Sequence, residues 1–154
     1  MKADMINPFI EGAVHILDTT ASVKLKAMPP FVKTDQGHQG DISGILEISG
    51  AINGSVVITF SETSILGIVS AMFGEQMNEM NEDINDAVGE ICNMIAGQAT
   101  TKINSMDTKV KIGLKEICVG KNKPIEHTQK DEAVVCLPFA TTKGKFVMEI
   151  CYTE

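Results

Sequence analysis

Two residues of this 154-residue chain carry polar side chains at a spacing that could let them act together: Glu90 and Asn93. They are three positions apart in the stretch Asn85-Asp86-Ala87-Val88-Gly89-Glu90-Ile91-Cys92-Asn93-Met94-Ile95-Ala96-Gly97-Gln98-Ala99. At about 100° per residue, Ile84, Val88, Ile91, Cys92, Ile95, Ala99 and Ile103 form one apolar stripe, which must face a core. Asp86, Glu90, Asn93 and Gly97 collect on the opposite side, and residues three apart on a helix are neighbours. A carboxylate can pair with a cation, and a carboxamide can hold a water through both its donor and its acceptor. Gly97 costs the helix about 1 kcal/mol against Ala and leaves bare surface where another backbone could approach. The spacing alone fits an ordinary solvated helix face equally well, since polar residues belong opposite an apolar stripe.

Other chemistries find less support. No Ser-His-Asp or Cys-His arrangement is readable, and there is neither a Walker A loop nor a GxGxxG. Cys92, Cys118, Cys136 and Cys151 lie in apolar stretches with no CxxC spacing, so they read as buried thiols in a reducing compartment. His15, His38 and His127 are isolated and read as surface or boundary residues; no metal site is expected. The net charge of −7 argues against nucleic acid as a partner. Met1-Lys2-Ala3-Asp4-Met5 has no signal-peptide character and no apolar run reaches membrane-spanning length, so a cytoplasmic protein is expected.

The elements that must position Glu90 and Asn93 follow from the pattern. Asn7 caps a first helix with Pro8 at its first position, and Phe9, Ala13, Ile16 and Leu17 recur along it. Val23 to Met28 alternates as a strand that Pro29-Pro30 stops. Residues 33–40 form a polar loop. Ile42 to Ile52 and Ser55 to Phe60 form a hairpin around Asn53-Gly54, a type I′ dipeptide. Ser61 caps a second helix that Gly74 ends. Asn81 caps the long helix that runs to about Asn104, with Glu82 and Asp83 at its positive end. Val110 to Val119, with Gly113 as a bulge, then Glu132 to Phe139 and Gly144 to Tyr152 read as strands. A polar loop holding Pro124 separates the first two. The expectation is a single α+β domain over 1–154: a mainly antiparallel six-stranded sheet with helices packed on it.

Glu90-Ile91-Cys92-Asn93, with Gly97 one turn later, resembles the Glu-x-x-Asn helix of the CheC/CheX/FliY chemotaxis phosphatases. The resemblance extends to Asn7-Pro8-Phe9, to Ser49-Gly50 through Phe60, and to Ala71-Met72-Phe73-Gly74-Glu75. CheC-like members carry two such helices. Here Glu11 is followed by Val14 where the second Asn would stand, so the likeness is to the CheX branch. It implies a CheC-like fold, a homodimer joined sheet edge to edge through a strand near the carboxyl end, and a phosphorylated CheY-like response regulator as substrate. Mg²⁺ would come with that partner. Asn93 would orient the attacking water. Glu90 would pair with the receiver's lysine, with Asp86 and Gly97 beside it at the interface. The alternative is a non-catalytic module that binds a receiver or dimerises.

Overall fold

The computed structural model describes residues 3–33, 40–120, 127 and 132–153. Three helices, α1 (Ala3–Ala21), α2 (Glu62–Phe73) and α3 (Glu82–Asn104), accompany seven strand segments. These are β1 (Lys26–Ala27), β2 (Phe31–Val32), β3 (Ile42–Gly50), β4 (Asn53–Phe60), β5 (Val110–Val119), β6 (Val135–Thr141) and β7 (Gly144–Thr153). They form one sheet in the order β1-β6-β7-β4-β3-β5, with β2 also on β6, and every pairing is antiparallel. The fold is the expected α+β one.

The six expected strands occupy six places in the sheet, because β1 and β2 share one. Val23 is buried, and its N–H closes α1 on the Leu17 carbonyl instead of entering the sheet. Pairing starts at Lys26↔Ala140, breaks at Pro29-Pro30, and resumes at Phe31↔Cys136. The prolines lack the N–H groups a ladder needs, so they interrupt the edge instead of ending it.

Three other expectations are corrected. First, α1 begins before Asn7, and Pro8 lies inside it. Met5 is buried in the core and Ile6 packs against it, so tertiary burial draws the preceding turn into the helix. Second, the hairpin turns at Gly50 (φ 113°), while Asn53 and Gly54 already pair with Thr153 and Tyr152 and have no positive φ. A Cβ on Gly54 would stand 2.7 Å from the Tyr152 Cα, so this glycine serves a close approach of strands. Third, the bulge on β5 is at Lys115, since Ile45 pairs with Glu116 and Leu46 with Leu114; Gly113 pairs regularly with Glu47. The extra residue lets Ile117 and Leu114, three apart, both pack against the helix-side core.

That core lies between the sheet and the helices. Phe60, Phe146 and Phe139 stand in register across β4, β7 and β6, with ring centroids 5.0 and 4.9 Å apart. With Ile42, Leu46, Ile48, Val56, Ile58, Met148 and Ile150 they give the helices an apolar floor. The other face is not open. Ser43, Ile45, Ser55, Val57, Thr59, Cys136, Glu149 and Cys151 are all buried there. The expected loops over 33–40 and 120–130 fall mostly outside the described residues, as does His38.

Candidate functional site on helix α3

Asn81 starts α3 as expected: it is extended, and its side chain accepts from the Ile84 N–H at 3.2 Å. Glu82 and Asp83 follow at the positive end of the helix dipole. The apolar stripe then buries Ile84, Val88, Ile91, Cys92, Ile95, Ala99 and Ile103 completely. Tight contacts with the floor seat the helix. Gly44 of β3 has no Cβ because Cys92 of α3 occupies that space, and Gly89 lies against Leu114 of β5. The same enclosure pushes the Cys92 thiol up to about 12, which makes it a packing group and not a nucleophile.

Burial of this stripe determines the opposite face. Asp86, Glu90, Asn93 and Gly97 are all exposed, while Ile91 and Ile95 beside them are fully buried. Glu90 and Asn93 are separated by about 4.5 Å of helix rise, and Gly97 stands one turn beyond Asn93. Among the described residues neither side chain has a hydrogen-bond or ion-pair partner, so both present their full capacity outward. A Cβ on Gly97 would meet nothing within 4 Å. The face is therefore convex and polar, with a bare step at one end. Such a surface does not enclose a small molecule. An open cleft of about 520 Å³, lined by Leu66, Gly67, Ser70, Gly74 and Lys143 among others, lies elsewhere and includes none of these residues.

A second cluster escaped the sequence reading. Ser55 Oγ lies 2.7 Å from His127 Nδ1, and His127 Nε2 lies 3.0 Å from Glu149 Oε1. Lys33 Nζ donates to Glu149 Oε2 at 3.1 Å. His127 is thus buried, where a surface or boundary position was expected. The carboxylate of Glu149 only accepts, so His127 donates to it through its Nε2–H, with the Ser55 hydroxyl at Nδ1. The connectivity is that of an acyl-transfer triad. With Ser55 only 1% exposed, however, no substrate carbonyl reaches its Oγ. Its members come from four separated parts of the chain, so no local spacing announced it. Of the cysteines, Cys92, Cys136 and Cys151 are buried as expected, Cys118 is half-buried, and none forms a disulfide.

Residues 42–140 match the family described as Chemotaxis phosphatase CheX. The chain is similar to the CheY-P phosphatase CheX of Thermotoga maritima, with 26% identity over 127 residues, 82% of each sequence. Among solved structures it is similar to a CheC-like superfamily protein from Shewanella sp. PV-4, at 34% identity, full coverage of both chains and a TM-score of 0.92. It also shares its fold with CheX in the CheX–CheY–BeF3–Mg²⁺ complex of Borrelia burgdorferi, at 22% identity, with 99% of this chain and 100% of that one covered and a TM-score of 0.81. No helix among the described residues is long and apolar enough to cross a membrane.

Proposed function

Because this chain belongs to the CheX family of chemotaxis phosphatases, we propose that it hydrolyses the aspartyl phosphate of a CheY-like response regulator, with Asn93 orienting the attacking water and Glu90 docking to the receiver's lysine. The observation that carries this reading is the outward display of Glu90 and Asn93 on one face of α3, above fully buried Ile91 and Ile95. Two relatives support the substrate class. The Thermotoga maritima protein is a CheY-P phosphatase, and the Borrelia burgdorferi protein forms a complex with CheY.

The chemistry suits these groups. Phosphoryl transfer asks for positioning and charge stabilisation more than for covalent help. The Asn93 carboxamide is neutral, so it enters beside a phosphoryl group without repulsion and aligns a water in line with phosphorus. A carboxylate there would repel the phosphoryl oxygens. Glu90, about one helical turn away, supplies a charge-assisted contact to a cation, which sets how deeply Asn93 inserts. Asp86 extends the acidic side of the same face, and Gly97 admits the partner's backbone. Mg²⁺ enters with the receiver in this reading. Among the described residues no group of three or more His, Cys, Asp or Glu is placed to hold a metal.

The family likeness also implies a homodimer joined edge to edge. Of the three strands near the carboxyl end only β5 lies at a sheet edge, since β7 is central and β6 is covered by β1 and β2. β5 is therefore the edge that supports this part of the reading.

The test is decay of a phosphorylated receiver with wild type, Asn93→Ala and Glu90→Ala. Wild type accelerates decay. Asn93→Ala returns it to the receiver's own rate while the circular dichroism spectrum is unchanged, and Glu90→Ala raises the receiver concentration needed for half-maximal rate. Full activity in Asn93→Ala refutes the assignment. Decay that wild type does not accelerate leaves a protein that only binds.

A further inference from the structure

We propose that the receiver docks on two helices and that His15 of α1 is a specificity-determining contact beside Asn93, an inference that rests on the function proposed above. A helix with its side chains is about 10–12 Å wide. A stable contact between two proteins covers about 800 Å² on each, a patch roughly 30 Å across. A receiver seated on Glu90 and Asn93 therefore overruns α3 and meets what lies alongside. On the Glu90 side that neighbour is α1. Glu90, Met94 and Gln98 are four apart and form one ridge. A Cβ on Gly12 of α1 would stand 3.4 Å from the Gln98 Cβ, so this ridge borders α1.

The two helices run in opposite directions. α1 leads into β1, which begins at Lys26↔Ala140, by the end of the sheet where Phe139, Phe146, Phe60 and Ile42 stand in register. α3 finishes at the other end: the Asn104 side chain accepts from the Val110 N–H, and Val110 pairs with Gly50. On α1 the matching ridge is Glu11, His15 and Thr19. Gly12 lies level with Ile95 and Gln98. Antiparallel packing then sets Glu11 beside Gln98, His15 beside Met94 and Thr19 beside Glu90. His15 is thus the α1 side chain that stands level with Asn93.

Its surroundings suit a contact. His15 is exposed, and among the described residues its ring has no hydrogen-bond or ion-pair partner. Its backbone is held, since its carbonyl accepts from Thr19 Oγ1 at 2.9 Å and Gly12 and Ile16 on its helix are buried. Charge points to the same partner. Asp86, Glu90 and Glu11 make most of this surface acidic, which complements the receiver's lysine. Beside Asn93, however, the receiver brings a phosphoryl group, and an acid there would repel it. His15 puts an imidazole at that position, with two ring nitrogens and no negative charge. Val14 is exposed too, but it lies about 200° round the helix from Gly12 and is turned away from α3.

Binding and turnover, measured separately, test this. Binding is titrated with a receiver carrying BeF3 and Mg²⁺, and turnover is followed with the phosphorylated receiver. His15→Glu is expected to weaken binding about tenfold and to raise the receiver concentration for half-maximal rate equally, with the maximal rate and the melting temperature close to wild type. Val14→Glu makes the same change of charge one residue away and is expected to behave as wild type. Wild-type binding by His15→Glu takes His15 out of the interface, and equal weakening by both variants makes the effect one of net charge; either overturns the proposal. Wild type that binds the receiver without speeding its decay overturns the catalytic reading instead, and the two variants still decide the docking surface by binding alone. Wild type that binds no receiver overturns both.

Discussion

Gly12 of α1 faces the main-chain carbonyl of Ile95 on α3 so closely that a Cβ there would stand 3.3 Å from the oxygen and 3.4 Å from the Gln98 Cβ. The helix that displays Asn93 is therefore positioned by a glycine on a different helix, 81 residues earlier in the sequence. A long side chain at position 12 cannot be absorbed without moving α1 or α3. Gly12→Leu is expected to lower stability by about 1–3 kcal/mol, as overpacked interfaces do. Thermal unfolding should drop by roughly 2–4 °C for each of those kcal/mol at this chain length. Dephosphorylation of the receiver should fall with it, although Glu90 and Asn93 are untouched. A melting temperature equal to wild type would show that the two helices can separate freely.

The contact explains what was legible beforehand and what was not. The stripe from Ile84 to Ile103 has a single period, so the sequence alone showed which way Glu90 and Asn93 point. The caps at Ser61, Gly74 and Asn81 depend on one or two side chains and were equally readable. Asn53-Gly54 misled, because glycine serves close approach of strands as readily as it serves turns, and Gly113 misled because it pairs regularly with Glu47 while the bulge falls two residues later, at Lys115. The extra turn before Pro8 depends on burial of Met5, a tertiary fact. The Ser55–His127–Glu149–Lys33 cluster lay wholly beyond local pattern. Its residues share no element, and each alone looks like a surface residue.

That cluster makes stability depend on pH with a definite sign. Burial alone pushes the Glu149 carboxyl up, but the hydrogen bonds from His127 and Lys33 and their charges outweigh it and hold the group below its ordinary 4.5. A folded-state value below the unfolded one means that the charged form contributes stability above the unfolded value. The contribution disappears as pH falls through the folded one. Wild type should therefore exceed Glu149→Gln in denaturant midpoint at neutral pH, with a gap that is constant down to about pH 5 and closes below about pH 4. The comparison requires urea titrations of both proteins across that range. A gap that widens toward acid would mean that the carboxyl is protonated in the fold and that Lys33 does not pair with its charge.

Gly97 separates stability from function most cleanly. It lies in the body of α3, exposed, with open space where a Cβ would be. Nothing in the fold requires glycine there, whereas Gly12 is enclosed. Gly97→Ala should therefore stabilise the protein by about 0.5–1 kcal/mol, the backbone entropy that glycine loses in a helix. Gly97→Gln should also unfold at a higher temperature than wild type, because glutamine is a good helix former. If the bare step admits a receiver's backbone beside Asn93, the two variants part in the decay assay. The alanine protein should retain most of its activity, and the glutamine protein should need a several-fold higher receiver concentration, its long side chain standing where the partner must lie. Equal activity in the two, at equal or greater stability than wild type, would remove Gly97 from the docking face and leave Glu90 and Asn93 to account for recognition.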